Sequence, residues 1–227
     1  MKVLCHPFIM TYKLYKNSKS GLHCVQACLQ MLLDHYDQPV LSLQELDSIT
    51  GHKENCFTWL SRALLWLDKQ GFEVVNVENL DYKKFAKEGR NYLKKIWSAE
   101  TFKAQHEFSD LVWEQSVAKK LIKSKICLIN ETWTLKKIDQ FRKRGNYFTM
   151  LSINPFAAKG EKGYGSHLVV LGERKRDLFK IYDPDYNRPR WLKSEILSKS
   201  ISEPNKSDFN VVFVRKNLKP HIRRGAL

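Results

Sequence analysis

Three residues set far apart in the chain, Cys24, His167 and Asp183, carry the groups needed to break an amide bond. A thiolate attacks a carbonyl carbon, an imidazole takes and returns the proton, and a carboxylate holds the imidazole in one tautomer. Such partners are distant in sequence and meet only in the fold. The local setting of each residue fits its part. Cys24 follows Gly21-Leu22-His23, and the apolar positions Val25, Cys28, Leu29, Leu32 and Leu33 then recur at the helical period. This predicts a buried helix over about 24–36 with the cysteine in its first turn, where the positive end of the helix dipole faces a negative charge favourably. His167 opens an apolar run, Leu168-Val169-Val170-Leu171, just after a glycine-rich stretch. Asp183 closes the next apolar run and precedes Pro184, with Asp185 and Asn187 as close competitors for its part.

The elements that must position these residues can be read from period and punctuation. Ser42-Leu43-Gln44-Glu45 fits a capping box, so a short helix should run to about Thr50 and close at Gly51. Trp59, Leu60, Ala63, Leu64 and Leu67 predict an amphipathic helix over 57–70, followed by a strand over 72–77. Residues 81–125 read as a basic helical insertion or subdomain. Strands are expected at 126–130, 147–153, 167–172, 178–182 and 210–215, and helices at 134–144 and 194–200. The loop 154–166, with Pro155, Gly160, Gly163 and Gly165, is a candidate lid. Helices first and a mostly antiparallel sheet afterwards is an α+β pattern. The arm over residues 1–20 is irregular, with Phe8, Ile9, Tyr12, Leu14 and Tyr15 able to pack it down.

These patterns resemble the papain-like cysteine peptidase fold, in the branch of peptidases that remove double-glycine leaders from bacteriocins. The matching residues are Cys24, Ala27 and Met31 of the helix, Gly165 and His167 at the strand, and the Asp183-Pro184 pair. The likeness covers roughly residues 20–77 and 126–215. It implies that Cys24 is the nucleophile, His167 the general base and then acid, and Asp183 the orienting group. It also implies a glutamine some six residues before the nucleophile, donating to the oxyanion. No glutamine precedes Cys24, and the position after the nucleophile, expected to be small, is Val25. Asn17 is the best substitute donor, with Ser18 and Ser20 as lesser ones.

Composition sets the outer bounds. A chain of 227 residues with 43% hydrophobic and 28% charged residues can form one ordinary core, so a single domain over 1–227 is expected. No apolar run is long enough to span a bilayer. The start of the chain is a poor secretory signal, and five irregularly spaced cysteines favour a reducing compartment. The expected location is therefore cytoplasmic, or outside by a route without an N-terminal signal. The net charge of +15 suits an acidic partner, and equally a solvated lysine-rich surface, since acids interrupt the basic residues.

The favoured reading is a thiol hydrolase acting on a peptide or protein substrate, with no metal and no cofactor. Cleavage, deamidation and amide transfer share its thioester intermediate and stay open. Two other readings compete. His23, Cys24, Cys28, His52 and Cys56 contain a Cys-x3-Cys and a His-x3-Cys pair that could hold a structural zinc. Lys83, Lys84, Lys87, Arg90, Lys94 and Lys95, with Tyr82 and Tyr92 between them, could face nucleic acid or an acidic protein, helped by Arg215, Lys216, Lys219, Arg223 and Arg224.

Overall fold

Alternate residues along the long strands belong to two different cores, and this alternation organises the molecule. Met150, Leu168, Val170, Val212 and Val214 pack into one cluster, while Leu151, Val169, Leu171, Val211 and Phe213 pack into the other. A strand whose neighbours point to opposite faces must be covered on both sides when both faces are apolar. The computed structural model describes residues 11–202 and 209–217. Phe8, Ile9, Lys219, Arg223 and Arg224, for which packing or binding roles are expected, lie outside the described residues.

The elements run α1 (Cys24–His35), α2 (Leu43–Thr50), α3 (Ser61–Lys69), β1 (Phe72–Glu78), α4 (Tyr82–Glu88), α5 (Arg90–Ile96), α6 (Ala99–Phe108) and α7 (Leu111–Leu121). They continue with β2 (Cys127–Asn130), α8 (Leu135–Gly145), β3 (Phe148–Ile153), α9 (Pro155–Lys159), β4 (His167–Lys175), β5 (Leu178–Tyr182), β6 (Arg190–Lys193), α10 (Ser194–Ser200) and β7 (Asn210–Lys216). The strands form one sheet in the order β2-β1-β7-β3-β4-β5-β6. Its pairings are antiparallel except for the parallel β1–β2 pair. The fold is thus α+β, with the N-terminal helices packed on a largely antiparallel sheet. Helices α1 to α7 contribute to the core on one face, and α8 and α10 to the core on the other.

Local chemistry explains the boundaries. Ser42 and Glu45 close a full capping box at the start of α2, and Gly51 ends that helix at φ 70°. The helix expected over 57–70 begins only at Ser61. Residues 57–60 are held out of it, Phe57 N–H donating to the Phe108 carbonyl at 2.7 Å and the Thr58 hydroxyl engaged with His52 Nδ1 rather than with the helix start. The loop 154–166 contains a short helix, α9, because Asn154 caps it and Pro155 takes its first turn. The strand β6 was not expected; it is short and lies at the sheet edge. The basic segment resolves into four short helices, and Tyr82 and Tyr92 are buried at 6% and 7% exposure. They therefore present no stacking surface for bases. No helix among the described residues is long and apolar enough to cross a membrane.

Candidate functional site

The register of α1 against β4 places the cysteine. Cys28 is fully buried, and its thiol donates to the Leu168 carbonyl at 3.4 Å. Cys24 lies one helical turn earlier and His167 one residue earlier, so fixing Cys28 on Leu168 sets Cys24 beside His167. Burial lifts the Cys28 thiol well above its ordinary value, with the nearby charges of Cys24, Asp183 and Asp185 adding to this. Cys28 is therefore a neutral packing residue, whereas Cys24 is half-buried and lines a cavity.

His167 is anchored by Asp183. Its Nε2 lies 2.8 Å from Asp183 Oδ1, with both side chains buried. Cys24 also acts on the ring, through its charge and polar sulfur. With Nε2 taken by the carboxylate, Nδ1 is the ring nitrogen left for sulfur. Burial alone would lower the imidazole. The hydrogen bonds and negative charges of Asp183 and Cys24 outweigh burial and push it up to about 10. Burial would likewise raise Asp183, yet the carboxyl is held below its usual range by His167, the Asp185 N–H and the Arg190 charge. Arg190 donates to Asp183 Oδ2 at 2.8 Å and lies over the Tyr186 ring at 3.4 Å. Arg190 belongs to the unexpected strand β6, so its part could not be read from the chain.

The competitors of Asp183 fall elsewhere. Asp185 stands 3.7 Å from His167 Nε2 with 46% of its side chain exposed, and its N–H donates to Asp183 Oδ1 at 3.1 Å. Asn187 accepts from Lys16 at 2.6 Å. Asn17 opens the turn that leads to Cys24, but both hydrogens of its amide are engaged. They donate to the Gly21 carbonyl at 3.0 Å and to Asp185 Oδ1 at 2.7 Å. Its Oδ1 accepts from the N–H groups of Ser18 and His23, and its own N–H donates to the Pro184 carbonyl. Asn17 thus braces the turn before Cys24 against the turn that carries Asp183.

The cavity beside Cys24 measures about 130 Å³. Ser166 and Leu168, which flank His167 in sequence, line it with Cys24. Phe57, Tyr82, Trp59 and Trp97 give it aromatic walls. Glu78, which accepts from Tyr82 Oη at 2.6 Å and from Asn76 at 3.0 Å, and Asn210 add polar groups. No local pattern signals this wall, because Glu78, Tyr82 and Asn210 come from three separate elements, Trp97 follows α5, and Phe57 and Trp59 precede α3.

The five residues of the zinc reading do not assemble. Among the described residues, His23 and His52 cluster with Asp47, and Cys24, Cys28 and Cys56 are not members of that group. The second such group, His167, Asp183 and Asp185, is the hydrogen-bonded site just described.

No protein-family model matches the sequence, and no curated protein matches it. Two solved structures align with it over most of its length. One is the peptidase domain of Streptococcus ComA, a bi-functional ABC transporter of a quorum-sensing pathway, at 13% identity and a TM-score of 0.48, covering 91% of this chain and 99% of that one. The other is a double-glycine-motif protease from an AMS/PCAT transporter in complex with its leader peptide, at 13% identity and a TM-score of 0.46, covering 92% of this chain and 94% of that one. The roles argued below rest on this chain's own side chains and not on either likeness.

Proposed function

We propose that the protein is a cysteine-dependent hydrolase of peptide or amide bonds, with Cys24 as nucleophile, His167 as proton carrier and Asp183 as the group that orients His167. The observation that supports this most directly is the imidazole bonded to a buried carboxylate, its protonated form favoured by Asp183 and Cys24, next to an aromatic cavity that Cys24 lines. A positively charged ring kept beside a sulfur is the setting in which thiols react as thiolates.

In this reading the Cys24 proton already rests on His167, and the sulfur attacks the carbonyl carbon as a thiolate. A C–S bond forms, and the C=O π pair moves onto oxygen. The main-chain N–H of Cys24 is one donor for that oxyanion, since the first N–H groups of a helix have no partner within it. Asn17 is the proposed second donor, and to serve it must release Gly21 or Asp185. His167 then protonates the departing nitrogen as the C–N bond breaks, leaving a thioester. Water gives a proton to His167 and its hydroxyl to the acyl carbon, and the C–S bond breaks to restore the thiolate beside the protonated ring. An amine in place of water would make the reaction a transfer, and a side-chain amide as substrate would make it a deamidation. The surplus of 39 lysines and arginines over 24 acids suits an acidic peptide or protein segment as substrate.

The test is alkylation by a chloroacetamide probe near neutral pH, read residue by residue by mass spectrometry. Cys24 should label far faster than Cys56 and Cys127, and the advantage should vanish in His167→Ala. Labelling of Cys24 at the pace of the other two, or unaffected by His167→Ala, would overturn the assignment.

A further inference from the structure

We propose that His23, Asp47 and His52 form a binding site for one zinc-like divalent cation, separate from the Cys24–His167 pair. The three residues each offer a ligand atom, and those atoms all lie within 4.8 Å of one another. His23 Nε2 and Asp47 Oδ2 are 3.3 Å apart. Two ligands of a tetrahedral zinc, each about 2.0–2.1 Å from the metal, stand about 3.3 Å from each other. The two imidazoles face each other with centroids 4.4 Å apart. Small rotations of half-buried side chains would close the remaining spacing.

A second set of contacts singles this group out from a chance meeting of polar side chains. Each member is oriented from behind by a neutral partner. Ser18 Oγ lies 2.6 Å from His23 Nδ1, and Thr58 Oγ1 lies 2.7 Å from His52 Nδ1. Gln26 donates to Asp47 Oδ1 at 2.9 Å. Both rings are therefore held by Nδ1, which leaves Nε2 as the coordinating nitrogen on each, and the carboxylate keeps one oxygen for metal. Metal-binding histidines are oriented in this way, through the nitrogen that does not bind. No hydrogen bond engages His52 Nε2 among the described residues, and with Thr58 Oγ1 accepting from Nδ1–H this nitrogen offers a lone pair. Two imidazoles and one carboxylate suit zinc and its neighbours rather than calcium or magnesium, with solvent completing the coordination.

The position gives such a site a consequence. His23 directly precedes Cys24, while Asp47 belongs to α2 and His52 to the connection that supplies Phe57, Thr58 and Trp59 to the cavity. A bound cation would tie the nucleophile turn to the wall of the cleft.

The experiment uses the full chain, stripped of metal with a chelator and titrated with Zn²⁺ by calorimetry and with Co²⁺ by visible absorption. It is run on the wild type and on Cys24→Ala, because a thiol beside an imidazole is itself a zinc trap. One Zn²⁺ per chain should bind in both, with a rise in Tm. In the Cys24→Ala background, His52→Ala and Asp47→Asn should each weaken binding by about 100-fold, and Thr58→Val by about tenfold. Three results would overturn the proposal: no stoichiometric uptake by the wild type, uptake lost in Cys24→Ala, or uptake kept in His52→Ala and Asp47→Asn. The last would place the metal at His167, Asp183 and Asp185. Thr58→Val leaves all three ligands in place, so it decides the matter if the ligand variants fail to fold.

Discussion

Replacing Asp183 with alanine should move the titration of His167 by an amount the structure allows to be worked out. In the folded protein His167 titrates at about 10 against an ordinary 6.5, with burial opposing the rise and Asp183 and Cys24 producing it. The bond lost is a buried hydrogen bond of 2.8 Å between two charged groups. Such a bond contributes about 1.5–3 kcal/mol, and about 1.4 kcal/mol corresponds to one pH unit. The midpoint should therefore fall to about 8–9, the remaining rise being the contribution of Cys24. The sign for stability follows from the raised value. The contribution of this group is fully present below about 6.5 and is lost as pH rises through about 10 in the native protein. In Asp183→Ala it should be lost earlier, by about 8–9. Histidine NMR, following the His167 ring from pH 6 to 11, reads the midpoint directly. The pH profile of Cys24 alkylation gives an independent reading of the same proton. Asp185→Ala is the control: Asp185 is 3.7 Å away and 46% exposed, and an exposed pair of this kind moves a midpoint by less than about 0.7. A midpoint still near 10 in Asp183→Ala, or an equal fall in Asp185→Ala, would refute the assignment of Asp183 as the group that holds the ring.

Glu114 is buried against Ser61, and burial lifts its carboxyl from 4.5 to about 7. A carboxyl raised on folding costs stability as pH climbs through that interval, so Glu114→Gln should stabilise the protein above pH 7 by at most about 3 kcal/mol and have no such effect below pH 4.5, as measured by urea unfolding at several pH values. Ser42→Ala removes the capping box of α2 and should cost about 1 kcal/mol in the same assay. Gly51→Ala forces a side chain into a left-handed turn, φ 70°, and against the Arg62 guanidinium, and should cost about 1–2 kcal/mol; an unchanged midpoint would show that this helix end relaxes freely.

The parts of the fold that were legible are those where local chemistry and period agree. The α2 cap, the buried stripe of α1 and the apolar runs of β3, β4 and β5 each carry their own signal, and the structure has elements at all of them. What could not be read depends on contacts between distant residues. The first turn expected in α3 is given up because Phe57 is bonded to Phe108, fifty-one positions away. The edge strand β6 is short, and its pairing with β5 defines it more than its own composition does. Of the site, His167 and Asp183 come together as a buried hydrogen-bonded pair, and Cys24 lines the adjoining cavity with the neighbours of His167 in sequence. The Arg190 clamp on Asp183 is absent from any local pattern, since an arginine beside a proline in a basic stretch looks like surface. The zinc reading picked out His23 and His52 from spacing, but it joined them to cysteines because cysteines sit nearby in sequence. In space Asp47 takes that place, one turn before the end of α2.

The short turn from Asn17 to His23 explains why these separate features sit so close together. Asn17 bonds the Pro184 carbonyl and the Asp185 carboxylate on one side and the His23 N–H and Gly21 carbonyl on the other. His23 carries the brace onward to Asp47 on α2. The approach of Cys24 to His167 is therefore fixed twice: from within the core by Cys28 on Leu168, and from outside by a chain of hydrogen bonds through Asn17. The inner fixing is buried and apolar, so it holds the register of α1 on β4 whatever occupies the cleft. The outer one is made of exposed and half-exposed polar groups, whose exchange with water costs little. A substrate that draws the Asn17 amide toward itself would loosen only this outer brace, leaving the sulfur and the ring where the core has set them.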